Sequence, residues 1–346
     1  MRAAILGAGA IAYGYAAALC QSGHEAVLWS PSGESTKLLA KGAGLHSIGA
    51  IEGTFFPTIA ESCESALLAA DAVVIAVPAY GHRQVIEAAA PHMRDDQVVI
   101  FSSHLSMAAR YLADLLKVRS VRTSIVALGT TITTGRRLSP DTVRIGTIRK
   151  RVDAAVIPQD DADRALALCV ELFGDRFERS ASIVAATLSN VNPQNHLALA
   201  LCNLTRMELG EAWEQNRHLT PAVARLIEAL DLERIATASA YGAEVRTVQM
   251  HFHLSFGVPL RHLADMANVL AERGGGAHGP TTLDTRYVTE DLPYGIVPIV
   301  QLASAKGVDV PLHRAGLDLM SAIYGRNFES ENDILPLVSR IHLDGV

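Results

Sequence analysis

Ser189, Asn192, His196 and Asn203 recur at i, i+3, i+7 and i+14. On a helix that spacing is one polar seam down an otherwise apolar stretch that runs to about Trp213. Histidine changes charge near neutral pH, so an imidazole held in such a seam can give up and recover a proton. Pro193, inside the pattern, cannot donate to the Ser189 carbonyl and predicts a kink there. A histidine satisfied by core neighbours has the same pattern, so its company decides. That company is the polar loop 278–295, which sets Arg286, Tyr287, Thr289, Glu290 and Asp291 between glycine-rich and apolar flanks. A guanidinium grips a carboxylate in bidentate fashion, and an aspartate fixes a histidine's tautomer and supports its positive form. Arg, Asp and His together are what reduction of an α-keto acid needs. The plainer alternative is that Asp291 or Glu290 serves a helix start and Arg286 pairs with one of them.

Reduction needs a hydride donor, and the first residues supply a place for one. Ala3-Ala4-Ile5-Leu6 reads as a short buried strand, ended by Gly7-Ala8-Gly9-Ala10-Ile11-Ala12. This is G-x-G-x-x-A between a strand and a small-residue helix. Gly7 allows the tight turn, Gly9 admits a pyrophosphate, and Ala12 lets helix and strand pack closely. The N–H groups around Ala10 and Ile11 open the helix with its positive dipole. At the end of the second strand, 26–29, NAD binders usually carry an acid. Here Ser30 stands, followed by Ser32, Ser35 and Lys37. Hydroxyls and a lysine suit a 2′-phosphate, so NADP is expected, with NAD as the alternative.

Strands continue to alternate with helices through 71–77, 98–101 and 121–127, which predicts a parallel, doubly wound sheet with right-handed crossovers. Val77 and Pro78 end one strand where the nicotinamide half of a cofactor would pass, at the carboxyl edge of the sheet. Thr130, Thr131 and Arg136 are read as a loop facing the ligand crevice, with Arg136 a candidate for a substrate carboxylate. Residues 141–158 alternate like two further strands. From Ser182 the period becomes helical, with runs expected at about 220–242, 245–252, 260–273, 294–306 and 310–324. Gly274-Gly275-Gly276 breaks that pattern. The expected division is a Rossmann-type domain, 1–180, and an all-α domain, 181–346.

The bulk composition agrees. The chain has 346 residues, 49% hydrophobic and 19% charged, which describes a soluble two-domain globular protein. A formal net charge of −6, with no basic run longer than Arg149-Lys150-Arg151, argues against nucleic acid or an anionic membrane. No segment reaches the roughly 18 apolar residues of a membrane span. The first residues lack the features of a secretion signal, and Cys20, Cys63, Cys169 and Cys202 are scattered, so the expected setting is a reducing cytoplasm. His251-Phe252-His253 lacks a third ligand nearby, and no metal site is expected. The apolar helical half can support a homodimer.

On these motifs the chain resembles the octopine/nopaline (opine) dehydrogenase family, including its N-(1-carboxyethyl)-norvaline type. The likeness covers nearly the whole length. It is carried by the glycine turn, Val77-Pro78-Ala79, the threonine-rich segment to Arg136, Ser189-Asn190-Val191-Asn192 through His196, and Arg286-Tyr287 through Gly295-Ile296-Val297-Pro298. The resemblance implies a Rossmann domain, a helical domain of the 6-phosphogluconate dehydrogenase C-terminal-like kind, and substrates in the cleft between them. It implies reductive condensation of an α-keto acid with an amino acid or amine. His196 would be the general acid/base, Asp291 its partner, Arg286 the grip on the keto-acid carboxylate and Asn192 a further substrate contact. The Ser30 position departs from relatives that carry an acid there. Two alternatives stand beside this reading: a ketopantoate reductase-like keto or hydroxy acid reductase, and a non-catalytic regulator that senses NADP. Reductases of that kind depend on a lysine in the second domain, where this chain has only Lys306 after Lys150.

Overall fold

A computed structural model describes residues 1–274 and 276–338. The chain forms two compact units, Met1–Thr187 and Leu188–Val346. The division falls seven residues beyond the expected 180/181, because the helix Ile183–Leu188 is tied back into the first unit. There the Thr187 hydroxyl lies 2.9 Å from His104 Nδ1.

The first unit is built on an eight-stranded sheet. Its strands in chain order are β1 (Arg2–Leu6), β2 (Glu25–Trp29), β3 (Leu45–Gly49), β4 (Gly53–Phe55), β5 (Thr58–Ile59), β6 (Ala72–Ile75), β7 (Val98–Phe101), β8 (Ser124–Leu128), β9 (Thr133–Ser139), β10 (Thr142–Ile148), β11 (Val152–Ile157) and β12 (Phe177–Arg179). The main sheet runs β12-β11-β8-β7-β6-β1-β2-β5. β5, β2, β1, β6, β7 and β8 are mutually parallel, and all but the short edge strand β5 are buried on both faces, which is why they read as unbroken apolar runs. The order reverses around β1, so the carboxyl ends of β1 and β6 frame the crevice where such sheets take ligands.

The sequence reading differs at two places. β11 runs antiparallel to β8, so the sheet is mixed at that edge. Of the residues read as a loop, Thr130 and Thr131 do lie in one, but Arg136 lies in β9, which pairs with β10 in a second sheet of order β4-β3-β10-β9. Arg136 is an exposed strand residue opposite Arg144. This sheet packs on the helix Ala10–Gln21, and the absence of a side chain at Gly14 lets Thr133 sit against it.

The second unit is helical among its described residues, apart from one isolated bridge between Glu214 and His278. Its longest helix is Pro221–Ala240. Packed around it are Asn192–Cys202, Val248–Phe256, Leu263–Arg273, Val297–Ala305 and Pro311–Tyr324. Arg234, with no exposed surface, anchors this core by bonding Asp231 and the Leu188 and Arg246 carbonyls. No described helix is long and apolar enough to cross a membrane.

Candidate active site

The polar seam is not one kinked helix. The helix Ile183–Leu188 ends, and a new one starts at Asn192. Pro193 occupies its first turn, where a missing N–H costs nothing, so no kink follows. Ser189 lies outside the helix, and His196 projects from its second turn.

His196 Nδ1 is 2.6 Å from Asp291 Oδ2, across 95 residues of chain. Both side chains are largely buried, 19% and 12% exposed. Burial raises the Asp291 carboxyl above the ordinary aspartate range, with His196 beside it pulling the other way. An ionised Asp291 accepts the Nδ1 proton, which fixes the tautomer. Nε2, with no partner among the described residues, is then free to exchange a proton with a ligand.

Two residues hold the imidazole plane. The Tyr287 ring stacks on it, centroids 3.6 Å apart and planes 10° from parallel. Gln215 Nε2 donates to the Tyr287 hydroxyl, and burial raises that phenol's pKa. Asp291 itself stands just before the π-turn Leu292–Ile296. Gly295 in that turn lies against Pro193, and a Cβ there would fall 2.5 Å from the Pro193 ring. The close approach of these two backbones therefore sets the reach from His196 to Asp291.

His196 lines a cavity of about 360 Å³ within the helical unit. Leu199, Leu219, Phe252, Phe256 and Leu270 give it apolar walls, and Asn192, Asn195, Gln215 and Asn216 a polar side. Arg273 brings a cation, its guanidinium donating to the Phe256 and Gly257 carbonyls with no carboxylate against it among the described residues. No carboxylate lines the cavity among the described residues. The neighbouring Glu214 is committed to the Asn216 and Arg217 N–H groups. The buried Asn195 Oδ1 has no hydrogen-bond partner.

Arg286 is placed differently from the sequence expectation. It is not buried beside His196. Its side chain is 63% exposed, it bonds Glu290 one helical turn away, and it does not line the cavity. Arg273, Asn195, Gln215 and the stacking role of Tyr287 were not singled out from sequence. Only the Gly274-Gly275-Gly276 break hinted at them, since Gly274 and Gly276 line the same cavity.

In the first unit the cofactor candidates gather at one turn. Gly7 has φ +139°, and a Cβ there would lie 2.3 Å from the Ala76 carbonyl oxygen. Its N–H donates to Trp29 O, wedging the turn between β2 and β6. A Cβ on Gly9 would meet nothing within 4 Å. That open side faces away from protein at the start of the helix Ala10–Gln21, where Ala10 and Ile11 present N–H groups and Ala12 is fully buried. Val77 and Pro78 follow β6, and Val77 touches the Gly7 position. Ser30 Oγ, buried at the end of β2, has no hydrogen-bond partner. Ser32 is exposed, and Lys37 is paired with Glu34 at 3.5 Å. A bare turn, an open helix start and an orphaned hydroxyl fit a dinucleotide. Thr130 lies in the loop after β8. Among the described residues no cluster of ligands for a metal ion occurs.

Comparison with known proteins follows the same division. Residues 179–324 match the family model of the NAD/NADP octopine/nopaline dehydrogenase alpha-helical domain. Residues 3–149 match that of ketopantoate reductase PanE/ApbA. Over 343 residues the chain is 28% identical to an opine dehydrogenase of Arthrobacter sp. (strain 1C), covering 96% of this chain and 93% of that one. The chain is similar to opine dehydrogenases over nearly its whole length. Its fold is shared with an octopine dehydrogenase solved with NADH and agmatine, at TM-score 0.79 and 17% identity, covering 94% of this chain and 90% of that one. It is shared too with yersinopine dehydrogenase bound to NADP+, at TM-score 0.72 and 14% identity, covering 96% and 97%. In this opine dehydrogenase-like chain the lone lysine after Lys150, Lys306, sits 4.8 Å from the centroid of the Tyr241 ring.

Proposed function

We propose that this chain is an NADP-linked opine dehydrogenase that condenses an α-keto acid with an apolar amino acid. The observation that carries the reading is the His196–Asp291 pair at the wall of an apolar cavity that also holds Arg273. A reduced dinucleotide, held by its pyrophosphate at the glycine turn, would supply the hydride that converts the imine to a secondary amine. The protein's residues do the rest. His196 Nε2 protonates the carbinolamine oxygen so that it leaves as water, and takes the proton back in the reverse direction. Asp291 holds the ring and supports its positive form. Arg273 grips a carboxylate, a role its uncompensated charge supports. Arg286, tied to Glu290, is the second candidate for that grip. Asn192 and Asn195 offer polar contacts to the condensing nitrogen. Walls of Leu and Phe without a carboxylate support an aliphatic or aromatic amino acid over a cationic one. Four free cysteines, two of them with thiols pushed by burial to about 11 (Cys63) and about 12 (Cys169), support a reducing cytoplasm.

The test is NADPH oxidation with pyruvate, glyoxylate or 2-oxoglutarate, with and without leucine, phenylalanine or arginine. Oxidation that needs both a keto acid and an amino acid, with leucine or phenylalanine preferred, is expected. Turnover of keto acid alone would point to the ketopantoate reductase-like reading, which the match over residues 3–149 favours. Cofactor binding without oxidation across the panel would point to a regulator.

A further inference from the structure

The loop after β2, which reaches toward a cofactor's ribose in such folds, is pinned from two sides. Tyr13, fully buried in the first turns of the helix Ala10–Gln21, directs its hydroxyl to Ser35 O at 2.7 Å and Pro140 O at 3.1 Å. Arg137, on β9, lies with its guanidinium 4.9 Å from the centroid of the Tyr13 ring. Its Nη1 donates to Ala8 O at 3.1 Å. Its Nη2 donates to Ser35 O at 2.9 Å and Pro140 O at 2.6 Å, and its Nε to Ser139 O at 3.1 Å. Ala8 is the middle of the glycine turn, and Ser35 sits in the loop past β2. One side chain therefore bridges the two backbone stretches that the adenosine half of a dinucleotide spans.

The charge on this bridge is uncompensated. All four acceptors are neutral carbonyls, no ion pair reaches Arg137 among the described residues, and of its five N–H groups one on Nη1 remains uncommitted. Carbonyls orient a guanidinium but leave its positive charge in place. Ser30 Oγ, buried at the start of the same loop, has no partner. The loop's one carboxylate, Glu34, is exposed and engaged with Lys37. A pinned cation and an idle hydroxyl, where an acid would serve a ribose diol, suit a phosphate monoester.

We propose that Arg137 is the cofactor-specificity residue, binding the 2′-phosphate of NADP(H), with Ser30 at the start of the same loop as a neutral donor. The proposal rests on the dinucleotide reading of the first unit and is independent of the chemistry at His196. Arg137 comes from the β9–β10 hairpin, far in sequence from the loop it serves.

Equilibrium binding of NADPH and NADH to wild type, Arg137→Met and Arg137→Lys, followed by cofactor fluorescence, tests it without turnover. Wild type is expected to bind NADPH at least about tenfold tighter than NADH, a preference that shrinks as salt rises. In Arg137→Met the NADPH affinity falls about 10- to 100-fold while NADH changes by less than about threefold. Arg137→Lys keeps part of the preference. If Arg137→Met does not fold, the lysine variant and wild-type binding of 2′,5′-ADP against 5′-AMP carry the test. A wild type that binds both cofactors equally overturns the proposal, as does a variant that weakens both by one factor, because the side chain would then only shape the loop. If neither cofactor binds wild type, the dinucleotide reading itself fails, a result distinct from loss of preference.

Discussion

Asp291 binds the one ring nitrogen of His196 that the cavity does not need, and that choice sets what each residue contributes. Asp291→Asn keeps the shape and loses the charge, so the imidazole is free to adopt the wrong tautomer. We expect kcat to fall by about 10²–10⁴-fold with NADPH affinity unchanged, read by steady-state kinetics beside a binding titration. An unchanged kcat would remove Asp291 from the mechanism. The pH profile follows from the direction of the Asp291 shift. Burial raises its carboxyl, so the pair loses its negative member as pH falls through a value above the ordinary aspartate range. The acid limb of kcat should therefore lie above the range where an ordinary aspartate titrates and be absent in Asp291→Asn. Tyr287 stacks on the His196 ring, so on the proposed mechanism its part is to position the imidazole. Tyr287→Phe keeps the stack and should retain most of the activity, whereas Tyr287→Ala should lower kcat at constant cofactor affinity.

At the scale of elements, two glycines hold backbones close enough for the sites to exist. Gly7→Ala places a methyl 2.3 Å from the Ala76 oxygen at a φ of +139°. It should abolish cofactor binding and cost about 2 kcal/mol or more in stability, measured by denaturant unfolding. Gly295→Ala drives a methyl into Pro193, separating the His196 helix from the Asp291 turn. Because a displacement of about 1 Å can cost about 10²-fold in rate, kcat should fall more than stability does. The sequence made the main sheet and the glycine turn legible because strands buried on both faces are unbroken apolar runs and the turn's demands are local. β10 was legible within the alternation of 141–158, but its partner β9 was not: Thr133–Ser139 is polar and half exposed, and its pairing with β10 and packing on the Ala10–Gln21 helix make it a strand. Pro193 misled for a related reason, since a proline in a first turn and one in a helix interior look alike until the helix start is known. His196 and Asp291 were readable through motifs shared across a family. Arg273 was not, because it ends an ordinary amphipathic helix and the turn at Gly274 alone brings it to the cavity.

At the scale of the whole molecule, stability should depend on pH through a buried histidine of the first unit. His104 is fully buried, its Nε2 accepting from the Ala109 N–H at 3.1 Å and its Nδ1 facing Thr187 Oγ1. Burial, with His82 nearby, pushes its pKa down to about 3. The unfolded chain therefore binds a proton that the folded chain refuses, and stability is lost as pH falls from about 6.5 toward 3. His104→Gln should be less stable at pH 7 by about 1–3 kcal/mol, having lost its hydrogen bonds, yet show a shallower decline in acid. Parallel curves for the two proteins would assign the acid sensitivity elsewhere. The central claim, that His196 moves the proton in a keto acid–amine condensation, is tested most directly by comparing wild type with His196→Ala. The comparison uses NADPH, pyruvate and leucine, with NADPH affinity measured in parallel. We predict unchanged affinity and a kcat lowered by about 10²–10⁴-fold. A variant that binds NADPH and turns over at the wild-type rate contradicts the account.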